Sequence, residues 1–110
     1  MSGTSAYVRW YIGDYLRDTA HLVAHEHGAY LMMIAHAWQH DGALPLAPER
    51  IRKIARLTPE QWAESGEVLL EFWQKNGTAY RQKRLDSELA DARTRYQQQV
   101  DAGKIRAAEA

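Results

Sequence analysis

A chain of 110 residues with 14 basic and 14 acidic side chains has room for one hydrophobic core, and no net charge with which to draw nucleic acid or an acidic membrane from a distance. Any such binding must come from a local patch. The absence of cysteine removes disulfides, thiol catalysis and cysteine-bound zinc. The longest apolar run, Ala29 to Ala35, is too short for a bilayer, and MSGTSAYVRW at the N-terminus lacks the basic-then-apolar order of an export signal, so the expected location is cytoplasmic.

In chain order, Tyr7 to Ile12 is aromatic and β-branched and reads as a short strand closed by Gly13-Asp14. Helix follows from about Val23 to His40. Its stretch from Tyr30 to Ala35, with Trp38, is apolar nearly all round, so this helix is expected to be central and wrapped by others. Asp41-Gly42 stops it, and Leu44 before Pro45 is extended. Pro48 opens the second of three central helices, which ends near Leu57. Thr58-Pro59-Glu60-Gln61 is a cap, a first-turn proline and a capping-box partner for the third, which runs to about Phe72. Asn76-Gly77 suits the two central residues of a tight hairpin, because both tolerate positive φ. The last helix begins near Leu85, with Asp86, Glu88 and Asp91 at its positive end.

That order describes a mainly α, winged-helix-like domain with a small β-hairpin, an added N-terminal strand and a C-terminal helix. The expected organisation is a flexible segment over 1–6, the domain over 7–96 and a polar extension over 97–110. Along the last helix Leu85, Leu89, Ala92 and Tyr96 form an apolar stripe that fades at Gln99 and Gly103. Its first half should pack on the domain; its second half should be frayed or held by another chain, which makes a homo-oligomer through this helix one expectation.

The segments Trp10-Tyr11-Ile12-Gly13-Asp14-Tyr15-Leu16, Asp18-Thr19-Ala20-His21-Leu22 and Glu26-His27-Gly28-Ala29-Tyr30-Leu31 resemble the opening of the prophage family called domain of unknown function 1376. Trp38, Gly42-Ala43-Leu44-Pro45, Ile54-Ala55-Arg56-Leu57, Asn76-Gly77 and Arg84-Leu85-Asp86-Ser87-Glu88 continue the likeness, which spans roughly Tyr7 to Leu89. The resemblance implies a phage or prophage protein similar to the winged-helix modules of phage replisome organisers, in a setting of origin recognition or helicase recruitment, and it supplies no active site. The chain ends soon after the last helix, without the basic linker and second module of many relatives, as a short member or an excised domain would.

The charges shape the expectation for DNA. In a winged helix the third helix enters the major groove, but here Glu60, Glu64, Glu67 and Glu71 line one stripe of that helix, opposite Trp62, Gly66, Leu69, Leu70 and Trp73. Carboxylates repel phosphate, and the stripe lacks the side chains that read base edges. Base-specific readout by the third helix is therefore not expected, and the stripe is instead a candidate protein-interaction face. What remains for nucleic acid is Arg50, Lys53 and Arg56 on the second helix, with Arg52 on a neighbouring face, and Lys75, Arg81, Lys83 and Arg84 around the hairpin, where Tyr80 could stack on a base. The same residues could also be ordinary solvated surface.

Other chemistry finds little support. His21 with His25, and His36 with His40, have the i, i+4 spacing of helix-borne metal ligands, yet no HExxH motif exists; His21 and His27 are more simply buried histidines bonded to backbone at a helix start. Asp14 and Asp18 are expected as turn and cap residues of a strand-to-helix link and not, with Glu26, as an acid-base cluster. No phosphate-cradling glycine loop or nucleophile elbow is present. Trp10, Trp38, Trp62 and Trp73, with Tyr30, are expected to build the core, with either Trp10 or Tyr11 left at the surface. The expectation is a non-catalytic module without cofactor or metal. It binds DNA without strong sequence preference or, alternatively, recruits a replication or host protein.

Overall fold

The computed structural model describes residues 9–109, in which five helices and three short strands follow one another as α1 (Ile12–Asp18), α2 (Ala24–Trp38), β1 (Leu44–Pro45), α3 (Pro48–Ala55), α4 (Pro59–Leu70), β2 (Gln74–Asn76), β3 (Ala79–Arg81) and α5 (Lys83–Glu109). The strands make one antiparallel sheet in the order β1-β3-β2, with Leu44 opposite Tyr80 and Lys75 opposite Tyr80 on its other side. The domain is mainly helical with a small sheet.

Met33, Leu44, Ile51, Leu69 and Leu89, one each from α2, β1, α3, α4 and α5, are fully buried in a single apolar cluster. Each such burial contributes about 1.5–3 kcal/mol, which ties five elements to one centre. The central helix α2 supplies Ala29, Tyr30, Met33, Ile34, Ala37 and Trp38 to that centre. It is not wrapped all round as its composition suggested, since Leu31 is 45% exposed. Trp38 and Trp73 are buried and Trp62 half-buried, whereas Trp10 is 37% exposed.

Local chemistry sets the element ends. Thr58 Oγ1 accepts from Gln61 N–H at 3.2 Å and Gln61 Oε1 accepts from Thr58 N–H at 3.0 Å, the expected capping box of α4. At the start of α2, Glu26 Oε1 accepts from Val23 N–H, which holds its carboxyl below the usual range. Helix α3 ends in a Schellman pair, Leu57 N–H to Arg52 O and Arg56 N–H to Lys53 O, which puts Arg56 at φ 61. Asp41 (φ 56) and Gly42 (φ 87) turn the chain from α2 into β1. A Cβ on Gly42 would lie 2.6 Å from Asp86 Oδ1 and 2.8 Å from Arg81 Nη2, so besides the strain of its positive φ a side chain here would push the Arg81–Asp86 pair aside.

Three expectations need correction. Residues 7 and 8 lie outside the described residues, and Arg9 to Tyr11 join no strand; Ile12 to Asp18, which contains the predicted closing turn Gly13-Asp14, is a helix. The hairpin corner is Gly77-Thr78, since Asn76 pairs with Ala79, and positive φ is needed at Gly77 only, as in a type II′ turn. Helix α5 begins at Lys83, which takes Lys83 and Arg84 out of the hairpin and into a first helical turn. This helix runs 27 residues, about 40 Å at 1.5 Å per residue, and stretches the molecule to 61 Å.

Candidate nucleic-acid interface

The eight residues expected at nucleic acid fall into two groups. Arg50 and Lys53 are exposed on α3, and Arg56 is exposed at its left-handed end. Lys75 is exposed on the edge strand β2, and Lys83 on the first turn of α5. None of these five cations makes an ion pair with a described residue. The neighbouring Arg52 differs: it pairs with Glu49 and donates to Leu57 O at 2.9 Å.

Arg81, Arg84 and Tyr80 are engaged by the domain itself. Arg81 grips Asp86 with two donors, Nε to Oδ2 at 3.1 Å and Nη2 to Oδ1 at 2.8 Å, and Nη2 also donates to Asp41 O. This pairing raises the guanidinium pKa and leaves little of it for phosphate. Arg84 Nη2 donates to Asp14 Oδ2 at 2.9 Å and lies near Asp18, tying α1 to α5; Arg17 from α1 and Arg84 together hold the Asp14 carboxyl below the usual range. Asp14 and Asp18 thus serve this inter-helix clasp in place of the expected turn and cap. Tyr80 is half-buried against the core and sits in the middle strand, which restricts its face for stacking.

The two exposed groups are not contiguous. α3 packs beside β1, while Lys75 rides on β2, the opposite edge strand, about 10 Å from β1 by strand spacing. Between β2 and the start of α5 runs a groove of about 450 Å³ lined by Gln74, Asn76, Lys83 and Ser87, with the Arg81–Asp86 pair beside them. Glu60, Glu64 and Glu67 on α4 and Glu71 at its C-cap are all exposed and likewise make no ion pair with a described residue.

The histidines have separate surroundings. His21 lies exposed and stacked on Phe72, and His27 Nδ1 is hydrogen-bonded to the Tyr15 hydroxyl, so neither is the expected buried, backbone-bonded histidine. His25 Nε2 is 3.0 Å from Ser65 Oγ. His36 and His40 stack face to face at 4.0 Å, with His40 Nδ1 donating to His36 O. Burial, His40 and Arg50 depress the His36 pKa. Among the described residues no three His, Cys, Asp or Glu side chains are grouped to hold a metal ion.

One feature gave little sign in the sequence. A cavity of about 210 Å³ opens between α1, α2 and α5, walled by Trp10, Tyr11, Tyr15, Tyr30 and Phe72 and floored by Gln82. The aromatic density of Trp10 to Tyr15 was its only local signal; Phe72 and Gln82 arrive from elsewhere in the chain.

Fold and surface together define a small, mainly helical domain with a three-stranded antiparallel sheet and a divided basic surface. The chain belongs to the family described as "Protein of unknown function (DUF1376)", which it matches over residues 6–90. It is similar to "Uncharacterized protein YdaU" of Escherichia coli (strain K12), 43% identical over 98 residues that cover 89% of this chain and 34% of that protein. The chain therefore spans about a third of the length of this curated relative. No solved structure matches it. Among the described residues no helix is long and apolar enough to cross a membrane.

Proposed function

We propose that this domain is a winged-helix-like, prophage-derived, cytoplasmic and non-catalytic module that binds DNA through its backbone in connection with phage DNA replication. The winged-helix reading is supported by the order α2-β1-α3-α4-β2-β3 and by β1 lying next to β3 in the sheet. The phage and replication setting rests on the resemblance of the N-terminal motifs. The observation that carries the binding reading is the α3 face: Arg50, Lys53 and Arg56 repeat every third residue, exposed and without carboxylate partners among the described residues. The nearest carboxylate is Glu49, which pairs with Arg52 and acts only at longer range on Lys53; cations kept together with no ion-paired carboxylate of their own suit a polyanion that supplies the counter-charge. Lys75 and Lys83 form a second, separate cationic patch, whereas Arg81 and Arg84 serve the fold.

Anisotropy titration with labelled duplex and single-stranded DNA at two salt concentrations tests this. Binding should be sequence-tolerant, with log affinity falling against log salt by roughly 0.9 per phosphate neutralised on duplex. No binding to either form at about 0.05 M salt, a concentration at which backbone contacts are strong, contradicts it.

A second reading is favoured by the four exposed glutamates of α4: an adaptor that recruits a replication or host protein through Glu60, Glu64, Glu67 and Glu71, or through α5, which could also pair two copies. Replacing Glu60, Glu64 and Glu67 with Gln separates the readings. DNA affinity should hold or rise on the first, since repulsion is removed, and a basic partner should be lost on the second.

A further inference from the structure

The cavity between α1, α2 and α5 has a polar floor that the fold does not use up. Gln82 is 9% exposed and Tyr30 is 8% exposed. Gln82 Nε2 donates to Tyr30 Oη at 3.1 Å and to Phe72 O at 3.2 Å. The second contact fixes the amide's orientation, because flipping it would set oxygen against a carbonyl oxygen. Gln82 Oε1 is thereby left as an acceptor with no donor among the described residues, and the Tyr30 hydroxyl, already accepting, has a proton with no acceptor among them. The other polar groups at the wall are satisfied: Thr19 Oγ1 donates to Tyr15 O, and the Tyr15 hydroxyl is bonded to His27.

A donor beside an acceptor, in a space with aromatic walls, is complementary to a flat ring that presents an acceptor beside a donor. That is the edge of a nucleobase. At about 210 Å³ the space is smaller than the roughly 300–1,000 Å³ of pockets for drug-sized ligands, which suits one ring system and not a larger molecule. Contact between a base and aromatic side chains adds to the two hydrogen bonds. At the mouth the Arg9 and Arg84 guanidiniums lie 5.9 Å and 5.6 Å from the Tyr11 ring centroid, and both residues line the cavity.

We propose that this cavity binds a single nucleobase, laid against the aromatic wall that Trp10, Tyr15, Tyr30 and Phe72 form by packing on one another and read by the Tyr30 hydroxyl and Gln82 Oε1. The ligand can reach it as a free nucleoside or nucleotide, or as a base turned out of a single strand. The site does not depend on the α3 cations, and either can fail alone.

The test is titration of the whole chain with uncharged nucleosides, then with nucleoside monophosphates and short single-stranded oligonucleotides, followed by tryptophan fluorescence and calorimetry. Saturable binding at one site is expected, weakened roughly five- to tenfold by Tyr30→Phe, which keeps the ring and removes one hydrogen bond. Gln82→Met should weaken it at least as much. If that variant unfolds because Phe72 O is left unbonded, Tyr30→Phe decides. Binding of nucleosides supports a free ligand, and binding of oligonucleotides alone supports a base presented on a strand. Replacing Lys53, Lys75 and Lys83 with Gln should leave nucleoside binding unchanged. No binding of any probe at millimolar concentration overturns the proposal, as does binding untouched by Tyr30→Phe, or indole binding as tightly as nucleosides.

Discussion

Arg50 and Arg56, on and just after α3, and Arg81 and Arg84, at the foot of α5, look alike along the chain but stand in different surroundings. Arg50 and Arg56 extend from α3 with no carboxylate partner among the described residues, while Arg81 and Arg84 are held by Asp86 and by Asp14. Arg81 closes the α2–β1 corner over Gly42, and Arg84 holds α1 against α5. A cation that is neutralised internally stabilises the fold and contributes little to the outer field; one that is not can release counterions from a polyanion. The density of basic residues therefore does not locate a phosphate-binding surface. The distribution of their partners does.

The largest effect is expected where the internally paired group meets the backbone. Gly42→Ala combines a strained φ with a clash against Asp86 and Arg81, and should lower the unfolding free energy by about 2–4 kcal/mol in urea titration. Arg81→Gln removes three charge-assisted bonds, two to Asp86 and one to Asp41 O, at a partly exposed site and should cost about 1–2 kcal/mol, with DNA affinity changed little once folding is allowed for. A DNA affinity that falls tenfold at unchanged stability would erase the distinction between the two regions.

The α1 clasp should show itself in acid. Asp14, lowered by Arg17 and Arg84, and Glu26, lowered by the Val23 amide, have folded pKa values below their unfolded ones. The unfolded chain then binds more protons, so their stabilisation is complete above the ordinary carboxylate range and is lost as pH falls through the folded values. Asp14→Asn should flatten that acid limb and speed hydrogen exchange in α1, leaving α2 protected. A uniform rise in exchange across both helices would show that α1 is not a separable region.

The smallest effect sets the two roles of one residue against each other. Arg56 adopts φ 61, where a non-glycine residue pays about 1–2 kcal/mol, so Arg56→Gly should raise stability by up to about 1 kcal/mol while reducing the salt slope of DNA binding by roughly one unit. Loss of stability instead would mean that the Arg56 side chain holds the fold.

Features whose cause is local were legible in the sequence. Thr58 and Gln61 cap α4 as their spacing requires, and Pro48 opens α3. The hairpin was found from Asn76-Gly77, but its corner is one residue later because cross-strand pairing of Asn76 with Ala79 decides the register. Trp10 to Ile12 carry strand propensity, yet a strand needs a neighbour. None of the three described strands pairs with this segment, which leads instead into a helix that leaves Ile12 63% exposed. In the candidate interface, the exposure of the α3 cations followed from helical spacing. The capture of Arg84 by Asp14, 70 residues away, and the meeting of Tyr30 with Gln82, 52 residues apart, did not, because only the tertiary fold brings those groups together.

The division of the cations is tested most directly by two variants side by side, Arg50/Lys53/Arg56→Gln and Arg81/Arg84→Gln, each assayed for duplex DNA affinity against salt and for thermal midpoint. The first should lose up to about three units of salt slope with its midpoint unchanged within a few degrees, and the second should lose stability with its slope nearly intact. The reverse pattern, with DNA affinity lost only on replacing Arg81 and Arg84, would contradict the assignment of binding to the α3 face.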